Sequence, residues 1–180
     1  VMSIQIYILS KLMDENNYPY KLKKELSTPI PFDTLLNLSE SKLYYHFESL
    51  TKQGLVEQVE IIKEEHRPDK QVFSITDKGR KQLPLKIYKV IEDAESISDM
   101  IVALVNLRFV ETDKVIPIIE KKIEQSLIKK DQLNQIYQQI DVDSSTRDVV
   151  DFMESYYASQ LEQSIYWWKD LLEKLKTKTI

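Results

Sequence analysis

The stretch from Ser39 to Ile75 constrains the fold of this chain more than any other. Ser39 and Ser41 are both helix N-cap candidates, because a serine hydroxyl accepts from the orphan N–H groups that open a helix. Leu43, Phe47 and Leu50 then recur at i, i+4 and i+7, the spacing of one apolar helix face. Gly54 stands where a left-handed cap would close that helix. Two short runs rich in β-branched residues follow, ending at Ile62 and at Ile75, with a polar turn between them. They predict a hairpin over about residues 56–75. A short amphipathic helix leading into a two-stranded hairpin is the centre of a winged helix-turn-helix. The helix face opposite the core would then be open to a DNA major groove.

The remaining segments are predicted to be helical. Residues 3–14 read as a first helix, with Ile4, Ile8 and Leu12 on one face and Asn16 and Asn17 as its stop. A second runs from Tyr18 to about Ser27, with Pro19 suited to its first turn. Thr28 to Phe32, with two prolines, reads as a loop. Residues 39–53 form the third helix. Thr76 caps the next, with Asp77 favourable near its positive end. Pro84 is expected to break or restart that helix. The domain boundary is placed there, giving a winged domain over 1–83 and a helical domain over 84–180.

Beyond Pro84 the spacing predicts helices over 85–109, 112–140 and 147–176. Thr112 caps the second of these, and Asp141 to Thr146 is a linker and cap. The last helix carries Val150, Met153, Tyr157, Leu161, Ile165, Trp168, Leu172 and Leu175, each three or four apart. Such a stripe exceeds what one neighbouring helix covers, which predicts a dimer through these residues. The fold class is therefore mainly α with a small β-hairpin wing, an N-terminal winged helix-turn-helix followed by a C-terminal helical dimerisation domain.

Composition removes several functions. The chain has no cysteine, which excludes disulfides, thiolate zinc sites and a cysteine nucleophile. His46 and His66 are the only histidines and lack a metal-ligand spacing, so neither a metal nor a cofactor is expected. The two glycines, Gly54 and Gly79, cannot build a phosphate-cradling loop. The carboxylates are spread along helix surfaces without a catalytic constellation, so no enzyme is expected. No segment is apolar enough to span a membrane and no signal peptide is visible, so a cytoplasmic protein without membrane association is expected. Net charge is −4, but residues 1–83 hold 12 Lys+Arg and 12 Asp+Glu, so the deficit lies entirely in 84–180. A neutral DNA-binding part must gather its cations on one face.

Residues 43–55, LYYHFESLTKQGL, resemble the third-helix pattern Leu-Tyr-x-x-Leu-x-x-Leu-x-x-x-Gly-Leu of the PadR family of bacterial winged-helix regulators, with Phe47 for one leucine. Residues 67–80, RPDKQVFSITDKGR, resemble the family's wing, with Phe73 for tyrosine. The second helix departs, because Pro19-Tyr20-Lys21-Leu22 stands where the family usually opens Gly-Tyr-x-Ile/Leu. The resemblance covers about residues 4–83. It implies a homodimeric transcriptional repressor on a palindromic double-stranded DNA operator, released in some members by a small molecule.

On the third helix, Lys42, Tyr45, His46 and Ser49 are expected to face outward. Ser41, Lys42, Tyr45 and His46 would contact bases or phosphates, with Ser39 at the helix start and Tyr44 able either to pack or to touch phosphate. The plain alternative is a solvated face. Tyr20, Lys23 and Lys24 on the second helix would add DNA contacts. So would Lys63, Arg67 and Lys70 in the wing, although Glu64, Glu65 and Asp69 dilute that charge. Tyr156, Tyr157, Tyr166, Trp167 and Trp168 form an aromatic cluster. It reads either as dimer core and surface, or as a wall for a small hydrophobic effector at Tyr156 and Trp167. The rival reading from another class is a winged-helix protein-interaction module that does not read DNA.

Overall fold

The computed structural model describes residues 2–26, 39–64 and 67–180. Ser27, the loop from Thr28 to Phe32, and the turn residues Glu65 and His66 lie outside the described residues. So do the side chains of Glu40, Glu64, Arg67 and Pro68. The elements are α1 (Met2–Asp14), α2 (Pro19–Glu25), α3 (Glu40–Lys52), β1 (Val56–Glu64), β2 (Arg67–Ile75), α4 (Asp77–Asp93), α5 (Ile101–Leu104), α6 (Thr112–Gln139) and α7 (Ser144–Lys176). Single 3₁₀ turns at Ile97–Met100 and Leu107–Phe109 flank α5. The chain divides into two compact units, residues 1–93 with 100–110, and residues 94–99 with 111–180.

In the first unit α1 is the central element. All residues from Ile4 to Ser10 are buried, not only the predicted stripe of Ile4, Ile8 and Leu12. A helix apolar around its whole circumference is one enclosed by its neighbours. Its polar groups are satisfied locally: Tyr7 donates to the Leu22 carbonyl at 3.0 Å and Ser10 to the Tyr7 carbonyl at 2.9 Å. The buried Gln5 accepts from Lys86 Nζ at 2.8 Å.

The hairpin is longer than its apolar runs suggest, because polar residues continue the ladder to Glu64↔Arg67. Register shifts at Val59 and Lys63 interrupt the pairing, and such bulges bend and twist a strand. The opposite edge of β2 is held by Asn17, whose N–H and carbonyl bond the carbonyl and N–H of Phe73 at 3.0 and 2.8 Å.

Pro84 does not break α4, which continues to Asp93. An interior proline costs about 3 kcal/mol. Leu83, Ile87 and Ile91 on the same helix are fully buried, and each such side chain contributes about 1.5–3 kcal/mol, which outweighs the loss. The boundary read at Pro84 therefore falls inside a continuous helix. The single helix expected over 85–109 is instead divided after Asp93. Asp99 accepts from the N–H groups of Glu95 and Ser96 and from the Ser96 hydroxyl, which folds residues 95–99 into a turn. Those hydrogen bonds hold the Asp99 carboxyl below the usual carboxylate range, the Ser96 hydroxyl first among them.

The second unit is built on an α6–α7 hairpin. Lys130 pairs with Glu162 at 2.7 Å and Lys176 with Glu120 at 2.6 Å, so the two helices run antiparallel. Asp143 caps α7 by accepting from the N–H groups of Ser145 and Thr146 at 2.9 and 3.1 Å, which starts the helix at Ser144, earlier than expected. Val115, Ile119, Ile165, Trp168, Leu171 and Leu175 form the core near the open end of the hairpin.

Candidate nucleic-acid interface

Ser39, rather than Ser41, is the N-cap of α3. Its hydroxyl accepts from the Lys42 N–H at 3.3 Å. Leu43, Phe47 and Leu50 are fully buried as expected. Phe47 packs on Phe73 of β2 with ring centroids 4.8 Å apart, which ties the helix to the base of the wing. Gly54 takes φ +69° and ends the helix in the left-handed region open to glycine.

Thr76 then locks three elements together. Its hydroxyl donates to the Gly54 carbonyl at 2.8 Å and accepts from the Gly79 N–H at 3.0 Å, capping α4. A Cβ on Gly79 would lie 2.1 Å from the Leu55 carbonyl oxygen, so only glycine lets α4 approach the chain leaving α3. The sequence marks this site by the scarcity of glycine and by its place in the wing-like segment 67–80.

The exposed face of α3 is a row. Ser41, Tyr45, Glu48 and Lys52 are all exposed, at a spacing of four, three and four residues, with Lys42 and Tyr44 exposed beside them. Tyr45 is 65% exposed. Glu48 pairs with Lys52 at 2.7 Å, so the C-terminal half of the row is neutral.

His46 is a correction. It was expected to face outward, but it is 4% exposed, and its Nδ1 is buried with no hydrogen-bond partner among the described residues. Burial lowers its pKa from the ordinary histidine value and favours the neutral ring. It cannot touch a base. At roughly 100° per residue it sits on the shoulder of the apolar face, and packing draws it inward. Ser49, also expected outside, is half-buried and accepts from Gln53 Nε2.

Of the flanking residues, Tyr20 and Lys24 are exposed and Lys23 is half-buried. Lys63 is exposed on β1. Lys70 lies over the Tyr18 ring, 5.4 Å from its centroid, so its charge sits back against the residue that precedes α2. The Arg67 side chain lies outside the described residues. Val59, Ile61 and Ile62 are exposed on the wing, a surface that the sequence reading did not single out.

In the second unit, Ile165, Trp168 and Leu175 are buried by the protomer itself, so they are core rather than partner surface. Val150, Leu161 and Leu172 are half-buried, and Met153 and Tyr157 are exposed. Val149 and Phe152, unmarked in the sequence reading, are among the most exposed apolar residues. A cleft of about 480 Å³ is lined by Ser96, Ile97, Ser98, Gln160, Gln163, Ser164, Trp167 and Trp168. Trp167 is on its wall, whereas Tyr156 is not and packs edge-on against Tyr157.

Among the described residues no group of His, Asp and Glu could hold a metal ion, and no helix is long and apolar enough to cross a membrane.

These elements define a winged helix-turn-helix protein with a helical C-terminal part. Residues 8–84 match the model of the transcriptional regulator PadR-like family, which identifies this winged segment as that of a DNA-binding transcriptional regulator. No curated protein matches the sequence. Among solved structures the chain is similar to Bacillus subtilis PadR in complex with operator DNA, at 14% identity over 95% of this chain and 98% of that one, TM-score 0.42. It is similar to the PadR-like transcriptional regulator of Bacillus cereus, at 18% identity over 97% and 99%, TM-score 0.40. It is similar also to Bacillus subtilis PadR in complex with p-coumaric acid, at 12% identity over 97% and 99%, TM-score 0.38. These likenesses are loose, and the family assignment rests on residues 8–84.

Proposed function

We propose that this chain is a homodimeric repressor that binds a palindromic DNA operator in the cytoplasm of a bacterium, each protomer placing α3 in a major groove. The carrying observation is the exposed row on α3, anchored from behind by Leu43, Phe47 and Leu50. Ser41, Lys42 and Tyr45 lie in its N-terminal half, the part of a recognition helix that approaches base edges. Tyr20, Tyr44, Lys23, Lys24 and Lys63 supply backbone contacts around it, with Arg67 and Lys70 as further phosphate contacts from the wing. Ser39 serves by capping α3. Repression and the palindrome are supported by the family resemblance and by the two-fold symmetry of a dimer.

The dimer is supported by exposed apolar residues on the hairpin tip, Val149, Phe152, Met153, Tyr156 and Tyr157. A contiguous patch of this kind marks an interaction site. Release by an effector is supported by the cleft at Trp167. Its amide and hydroxyl lining suits an aromatic molecule carrying hydrogen-bonding groups better than a purely hydrophobic one.

Selection of bound sites from random duplex DNA tests the reading. The expected result is an inverted repeat, bound with an affinity that falls steeply with salt. Transcription from a promoter carrying the repeat should then drop when the protein is present. No preferred sequence and no salt dependence would leave the protein-interaction module as the function.

A further inference from the structure

We infer that Tyr45 reads a thymine, its ring packing on the C5-methyl group in the major groove, so that each half-site carries one thymine recognised by that methyl. The inference rests on the DNA-binding reading above and deepens it.

The thirteen residues of α3 include no arginine, asparagine or glutamine. Those, with lysine, are the side chains that make bidentate contacts to guanine and adenine, and in the N-terminal half of α3 Lys42 alone is of this kind. Beyond Lys42 the helix discriminates in another way. Ser41 offers one hydroxyl and Lys42 a point charge. The largest surface offered to the groove is aromatic, on Tyr45, which is 65% exposed. Tyr45 lies one turn beyond Ser41 on the same outward row, within the helix half that reaches base edges. The apolar group on the major-groove edge of the base pairs is the thymine methyl. A ring left in water there loses the benefit of burial, and a methyl beside it restores that benefit.

Position separates the two tyrosines. Tyr44 is rotated roughly 100° from Tyr45 about the helix axis, toward a groove wall, where its hydroxyl suits a phosphate. Tyr45 is also buttressed. The buried His46 ring stands edge-on to it, centroids 5.4 Å apart at 74°. Beyond Tyr45 the row ends in the Glu48–Lys52 pair, which adds no net charge.

The experiment uses the full chain and its selected operator. Each thymine is replaced in turn by deoxyuridine, which removes only the methyl. Binding is measured for the unmodified protein, Tyr45→Phe and Tyr45→Ala. One position per half-site should weaken binding by the unmodified protein and by Tyr45→Phe about fourfold, the affinity equivalent of one buried methyl. Tyr45→Ala should bind the thymine and deoxyuridine forms equally. Because Tyr45 is exposed, the alanine variant keeps its fold, and an unchanged salt slope confirms intact phosphate contacts. No sensitive position, or equal sensitivity in Tyr45→Ala, overturns the inference and leaves DNA binding standing. Failure to select any operator overturns both.

Discussion

The two ends of the α6–α7 hairpin carry the same kind of apolar spacing and use it differently. At the base, Val115, Ile119, Ile165, Trp168, Leu171 and Leu175 are buried. At the tip, Ile136, Val149, Phe152, Met153 and Tyr156 are exposed, with Phe152 71% accessible. The base has a third layer. The segment at Ala94 lies over it, where Lys122 Nζ donates to the Ala94 carbonyl at 2.5 Å and lies 5.5 Å from the Trp168 ring centroid. The tip has only two helices, and a helix pair buries one stripe on each member. An apolar period shows that a face must be covered, but not what covers it.

The largest effect that would break this comparison is at the base. Trp168→Ala should lower unfolding stability by about 3–5 kcal/mol, as for other buried aromatics. A loss below about 1 kcal/mol in denaturant titration would mean the base is not a core. At the tip, Phe152→Ser and Tyr156→Ser should each weaken dimerisation by about 2 kcal/mol while leaving protomer stability unchanged. Sedimentation equilibrium separates the outcomes, and an unaltered assembly state would show that the tip is not the partner surface.

A smaller effect concerns the caps. The Ser145 and Thr146 hydroxyls hold the Asp143 carboxyl below its ordinary range. A folded pKa below the unfolded value stabilises at pH above the unfolded value, and that contribution disappears as pH falls through the depressed one. Asp143→Ala should therefore destabilise at pH 7, by an amount that shrinks as pH falls through the depressed value. A constant difference across that range would assign the effect to packing. The smallest effect is expected midway along the hairpin, where Lys130 and Glu162 pair in an exposed position. A double-mutant cycle should give no resolvable coupling, because solvent screens such pairs. Strong coupling would mean that this stretch is covered in the assembled protein.

Helix α3 divides in the same way between local and distant causes. Leu43, Phe47 and Leu50, the glycine stop at Gly54 and the Thr76 cap were legible because each depends on residues within a turn or two. His46 was misplaced because it lies on the shoulder of the stripe, where helix phase alone does not choose a side. The Ser39 cap was one of two candidates, and only the observed backbone chose between them. Asn17, which holds β2 at Phe73, left no sequence signal because its bonds use main-chain atoms.

By itself the sequence determined the helix–hairpin order, the Thr76 cap, the buried face of α3 and the PadR-like character of the winged segment. Each follows from short-range spacing and from backbone preferences that act wherever the residues are. Tertiary structure decided that α4 runs through Pro84, that Gly79 must lie against the Leu55 carbonyl, that His46 turns inward, and that one apolar stripe becomes core at its base and surface at its tip. Those outcomes are set by contacts between segments far apart in sequence. Their free energies exceed local propensities of about 1–3 kcal/mol, and no periodicity within one segment encodes them.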